Sequence, residues 1–166
     1  GRLHDVQLLT EAMSTAPDDV LVHLLAGLPR LGHDRAQEAI APLERVCELA
    51  PDDWFAWRNL GLARLSASRP LDECWAAYAR TIELQPTVEM IREADHMMQC
   101  KDGPHDLRRR LLYDDLPATF ADDSAILLRR ARLALATGDY EHGLAELSRA
   151  RFYPAEGMFG PRGLFS

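Results

Sequence analysis

Ala50-Pro51-Asp52-Asp53-Trp54-Phe55-Ala56-Trp57-Arg58-Asn59-Leu60-Gly61 begins with a helix breaker, passes through two carboxylates and enters an apolar stripe. The same opening stands at Ala16-Pro17-Asp18-Asp19, and Gln85-Pro86 closes a third phrase. Pro17, Pro51 and Pro86 are 34 and 35 residues apart. A fixed period of that size marks an array of small stacked units, none of which buries its apolar face alone.

Within the central unit, Trp57, Leu60, Gly61 and Leu65 recur at helical spacing. Ser66 to Pro70 interrupts with turn-forming residues, and a second stripe runs through Cys74, Ala77, Tyr78, Thr81 and Ile82 before Pro86 ends it. Gly61 lets two backbones approach, small Cys74 serves the same contact from the other side, and Trp57 and Tyr78 fill the wider space. Early Trp57, the Leu60-Gly61 pair, Cys74, Tyr78 and closing Pro86 together resemble the tetratricopeptide repeat. The resemblance implies an all-α fold: a right-handed superhelix of antiparallel helix-turn-helix repeats, about 8–9 helices in all.

On that reading residues 1–152 form one helical-repeat domain, with a half repeat at 3–17 and units at 20–53, 54–88, 89–121 and 124–152. A Gly- and Phe-rich tail follows at 153–166. Unit 20–53 carries Gly27, Ala39, Leu43 and Pro51 in the matching places. Pro29 and Pro42 fall where helix interiors are expected, so the first helix should end early or bend near Pro29 and the second should bend at Pro42. Unit 124–152 turns at Gly138-Asp139-Tyr140-Glu141 and places Ala131, Gly143, Leu147 and Ala150 at the small and apolar positions, with Arg130 where the family has Leu. Thr87 to Asp123 is degenerate, with two helical patterns around Asp102-Gly103-Pro104. Leu3 to Ser14 reads as the second helix of an earlier repeat, its Val6, Leu8, Leu9 and Met13 implying a longer parent protein or another chain over that end.

The formal charge of −7 argues against nucleic acid or an anionic membrane as partner. No apolar run reaches the ~18 residues of a membrane span. Cys47, Cys74 and Cys100 are too few and too widely spaced for a disulfide framework; all three lie on or beside apolar stripes, as small core residues in a cytoplasmic protein would. Neither the six histidines nor the glycines form a zinc, nucleophile-elbow or phosphate-loop pattern, so the reading is no enzyme, no metal and no cofactor. Asp18-Asp19, Asp52-Asp53 and Asp122-Asp123 each precede a helix, where carboxylates cap free N–H groups.

The resemblance implies a non-catalytic protein- or peptide-binding scaffold whose groove is lined by the first helix of each repeat. Leu21, Leu24, Leu28 and Leu31 would supply one unit, Phe55, Arg58, Asn59 and Leu62 the next, and Leu128, Arg129 and Arg132 the last. Asn59 stands where similar repeats hydrogen-bond a peptide backbone, and the arginines could fork onto carboxylates. Leu24 and Leu28 occupy the places of the Lys and Asn of the family's carboxylate clamp, which points instead to an apolar groove holding a helix or a segment of the parent chain. Arg151-Phe152-Tyr153-Pro154-Ala155-Glu156-Gly157 looks like the close of helical segments that follow a β-sandwich in some bacterial proteins. An alternative is therefore an accessory end of a carbohydrate-active enzyme with its catalytic domain upstream. Homodimerisation through the N-terminal helix is another.

Overall fold

The computed structural model describes residues 2–31 and 35–151, with side chains described from residue 7. The described residues form nine α-helices joined by turns and short helical segments, with no strand among them. The tail 153–166 lies outside the described residues, as does the side chain of Val6. The chain divides into two compact units, residues 1–104 and 105–166, and the division falls inside the 89–121 stretch.

The first unit holds α1 (Arg2–Thr15), α2 (Val20–Gly27), α3 (Ala36–Leu49), α4 (Trp54–Ser66), α5 (Leu71–Leu84) and α6 (Val88–Cys100). Each packs on the next along the chain. The second unit holds α7 (His105–Arg109), which runs on into a π-helical turn at Arg110–Asp114, then α8 (Ser124–Ala136) and α9 (Tyr140–Arg149).

Five helix starts are capped by a side chain, Asp139 serving α9 and four others sharing one device at a regular interval. The side chains of Asp19, Asp53, Thr87 and Asp123 accept backbone N–H bonds from the first turns of α2, α4, α6 and α8. A helix leaves its first N–H groups without intrahelical partners, and a carboxylate or hydroxyl in extended backbone just before it satisfies them. These caps are 34, 34 and 36 residues apart (19 to 53, 53 to 87, 87 to 123). The ends of α4, α6 and α8 recur as well. Ser68, Asp102 and Gly138 take positive φ of 56°, 48° and 81°. The N–H after each reaches back five residues, Arg69 to Arg64, Gly103 to Met98 and Asp139 to Ala134, at 2.7–2.9 Å. This left-handed closure ties off otherwise free carbonyls and starts a tight turn.

The first Asp of each pair does something different. Asp18 binds Arg45, Asp52 binds Arg80 at 3.1 Å, and Asp122 binds Arg149. The arginines follow their acids by 27, 28 and 27 residues, on α3, α5 and α9. The Pro17 and Pro51 carbonyls accept from those same arginines and also from ring nitrogens six residues on, His23 Nε2 and Trp57 Nε1, both at 2.9 Å. Each boundary turn is thereby fastened to both helices of the hairpin it opens.

Between paired helices the backbones come close. A Cβ on Gly27 would lie 2.8 Å from Leu43 Cγ, and one on Gly61 would lie 2.9 Å from Tyr78 Cδ2. Around these contacts Ala39, Leu43, Val46, Ala56, Leu60 and Ala77 form one buried cluster of the first unit. Trp57 lies only partly buried at its margin. As the sequence implies, α2 stops at Gly27 and a 3-10 turn through Pro29 follows. Pro42 lies inside α3, which is one continuous α-helix on both sides of it. Cys47 and Cys74 are buried, and burial pushes the Cys47 thiol up to about 12. Cys100 differs from its expected role. It ends α6 on the exposed side beside His96, while Met90, Ile91, Ala94, Met97 and Met98 face inward.

Removing a cap should cost more than removing an exposed ion pair. Asp53→Ala is expected to lower stability by about 1 kcal/mol. Asp52→Ala is expected to cost less than ~0.5 kcal/mol, since its carboxylate is almost fully solvated. Urea denaturation of the two variants against the parent checks the order.

Candidate functional site

The groove residues anticipated in the first unit divide by direction. Leu24 and Leu28, with Leu31, turn inward against the buried cluster. Leu21 and Leu25, one turn apart on the other side of α2, are 61% and 52% exposed, and Phe55 at the start of α4 is also exposed. Leu25 belongs to this outer stripe although it was not anticipated; its spacing of four from Leu21 was the available signal. Leu62 is partly buried. Asn59 is buried, and its amide donates to the Phe55 carbonyl one turn back at 2.7 Å. Arg58 forks onto Glu93 of α6 at 2.8 and 2.6 Å. Those bonds hold the guanidinium proton more tightly than usual. The structure thus leaves Leu21, Leu25 and Phe55 as exposed apolar groups and commits Arg58 and Asn59 to bonds within the unit.

Arg129 and Arg132 belong to the second unit, where Arg129 is partly buried and Arg132 exposed. The residue between them carries more of the local structure. Arg130 is 7% exposed, donates through Nε to the Leu112 carbonyl at 2.8 Å and through Nη1 to the Ala121 carbonyl at 3.3 Å. Its guanidinium lies over the Tyr113 ring, 4.3 Å from the centroid. A leucine there would leave both carbonyls without these donors; arginine is accommodated because the backbone around it supplies acceptors.

Around Arg130 a polar group of side chains assembles. Glu146 of α9 is 3% exposed and bonds Arg149 at 3.1 Å, with Arg130 at 4.0 Å and His142 Nε2 at 3.5 Å. The Tyr113 hydroxyl lies 2.8 Å from His142 Nε2. The π-helical turn matters here, because one extra residue per turn changes the direction in which the following side chains project. Its widened ring closes with the Asp115 N–H donating to the Arg110 carbonyl at 2.8 Å.

Tyr113 and His142 also form part of the wall of a cleft of about 500 Å³. His105, Asp106 and Arg109 of α7 line it too, and α8 contributes Leu133 and Ala134, both buried. Its volume lies within the range of small-molecule sites. Neither Tyr113 nor His142 was anticipated as a site residue; 29 positions separate them, and no local pattern joins them. Among the described residues, no three His, Cys, Asp or Glu side chains gather as metal ligands would, and no helix is long and apolar enough to cross a membrane.

Two outcomes follow from the Arg130 environment. Arg130→Met should destabilise the second unit by roughly 3–5 kcal/mol, because Glu146 and two carbonyls lose a buried donor. The double variant with Glu146→Met should recover part of that loss, as chemical denaturation of all three proteins can measure. Burial first, then the Glu146 carboxylate, push the Tyr113 phenol up to about 12 from its ordinary value of 10. A phenol that holds its proton longer when folded contributes stability below pH 10, and this is lost as pH rises from 10 towards 12. Tyr113→Phe should flatten that part of the decline in a stability-against-pH series.

Compared with known proteins, the sequence matches no family model and no curated protein.

Proposed function

We propose that this chain is a non-catalytic helical-repeat scaffold of the tetratricopeptide type that binds a protein or peptide segment. The observation that carries the reading is the recurrence of side-chain caps at Asp19, Asp53, Thr87 and Asp123, 34, 34 and 36 residues apart. Those intervals match the ~34-residue period of the family. The caps also continue through the stretch where the consensus residues are lacking, which supports the reading there. The tetratricopeptide reading adds a right-handed superhelical stacking of these hairpins, with the first helices facing the ligand.

The binding surface in this proposal is the outer stripe of α2 and the start of α4. Leu21, Leu25 and Phe55 are large apolar groups left in solvent, while Leu24 and Leu28 hold α2 to the core from its other side. Exposed leucines one helical turn apart suit the apolar face of an amphipathic helix, which anchors through residues at the same spacing. Arg58 supports this surface indirectly: its fork onto Glu93 joins α4 to α6 and pairs the guanidinium with a carboxylate of the same unit.

The test is a displayed library of amphipathic helical peptides panned against the purified chain. Peptides with Leu or Phe at i, i+3 or i+4, and i+7 should enrich. Leu21→Glu combined with Leu25→Glu should weaken their binding at least about tenfold while thermal stability is retained, since both residues are exposed. Failure of any sequence to enrich, or binding indifferent to the double substitution, would overturn the proposal.

A further inference from the structure

We propose that the cleft of the second unit is a binding site for a small aromatic carboxylate. It is separate from the helix-docking surface and does not depend on the scaffold reading.

The cleft offers two kinds of surface. One is apolar and ring-shaped. Leu133 and Ala134 line it with buried side chains, and the Tyr113 and His142 rings stand 5.8 Å apart, tilted by 35°. Arg130 covers the Tyr113 ring and the hydroxyl is held near His142, so this wall is fixed before any ligand arrives. A rigid wall lowers the ordering cost of binding, and aromatic rings pair favourably with another ring in offset or edge-on geometry.

The other surface is cationic. Arg109 lines the cleft and is exposed, and no carboxylate among the described residues binds it within ion-pair distance. This contrasts with Arg45, Arg58, Arg64, Arg69, Arg80 and Arg149, each paired with an acid. A guanidinium presents a planar fork that matches a carboxylate in two parallel bonds. His105, one turn before Arg109 on α7, adds a second donor. Of the two acids in the lining, Asp139 already accepts the His142 N–H at 3.2 Å as the cap of α9. Asp106 remains, and it sets a limit on anion affinity. A flat ring against Tyr113, His142 and Leu133, with its carboxylate towards Arg109, uses both surfaces together. An aliphatic carboxylate or an aromatic amine uses only one.

The experiment follows backbone ¹H–¹⁵N spectra of the full chain during titration with benzoate, acetate and benzylamine in turn. Benzoate should give saturable shifts in the millimolar range around Arg109, Tyr113, Thr137 and His142, as suits a ligand of so few atoms. Acetate and benzylamine should give much weaker ones. Arg109→Gln should weaken benzoate about tenfold, and Asp106→Asn should strengthen it by removing a like charge. Thermal melts of both variants establish that they are folded, with Arg109→Lys as the conservative replacement, keeping the charge but losing the fork. No saturable shift with benzoate, equal shifts with benzylamine, or an affinity unchanged in Arg109→Gln would overturn the proposal.

Discussion

The fastening of each boundary turn to both helices of its hairpin is the constraint on which the rest of this structure depends. At Pro17-Asp18-Asp19 and Pro51-Asp52-Asp53 the second acid caps the helix that follows, and the first binds an arginine on the second helix of the same hairpin. The proline carbonyl accepts from that arginine and from a ring on the capped helix. No single bond in this set is strong, because most are exposed to water. Their effect is geometric. A helix whose start and whose partner are both referred to one turn has little freedom to slide, and the close Gly27–Leu43 and Gly61–Tyr78 contacts require that register.

The last hairpin meets the same constraint with different chemistry. Asp123 still caps α8 and Asp122 still binds Arg149, but the position at which Leu60 is buried in the central unit is held by Arg130. Burying a guanidinium is unfavourable unless its donors find acceptors, and the Leu112 and Ala121 carbonyls, Glu146 and the Tyr113 ring provide them. The π-helical turn belongs to this solution, since it delivers both the Leu112 carbonyl and the Tyr113 ring to Arg130. What enters the hairpin as a departure from the repeat pattern therefore organises the wall of the adjoining cleft.

The two candidate surfaces differ in kind for the same reason. In the first unit the arginines that face other helices are paired with acids, so what remains outward on α2 and the start of α4 is apolar. In the second unit a buried ion network fixes aromatic rings beside an arginine that has been left for solvent or a ligand. The first arrangement favours an extended apolar contact. The second favours a small ligand with one charged group.

The sequence by itself determined where helices begin and end. Proline, the paired aspartates, Gly138 and the period near 34 act through bonds within a few residues, so their consequences are visible locally. Pro29 ended α2 for the same reason. Even in the degenerate stretch, Thr87 and Asp102 kept the capping rhythm after the packing residues had changed. Direction was another matter. Leu24 and Leu25 are indistinguishable by composition, yet one faces the core and the other solvent, and Asn59 turned its amide onto its own helix. The pairings of Arg58 with Glu93, Tyr113 with His142 and Arg130 with its two carbonyls join positions 9 to 35 residues apart. Only tertiary packing decides these, because each depends on which helix face is closed by a neighbour, and no local spacing encodes that neighbour.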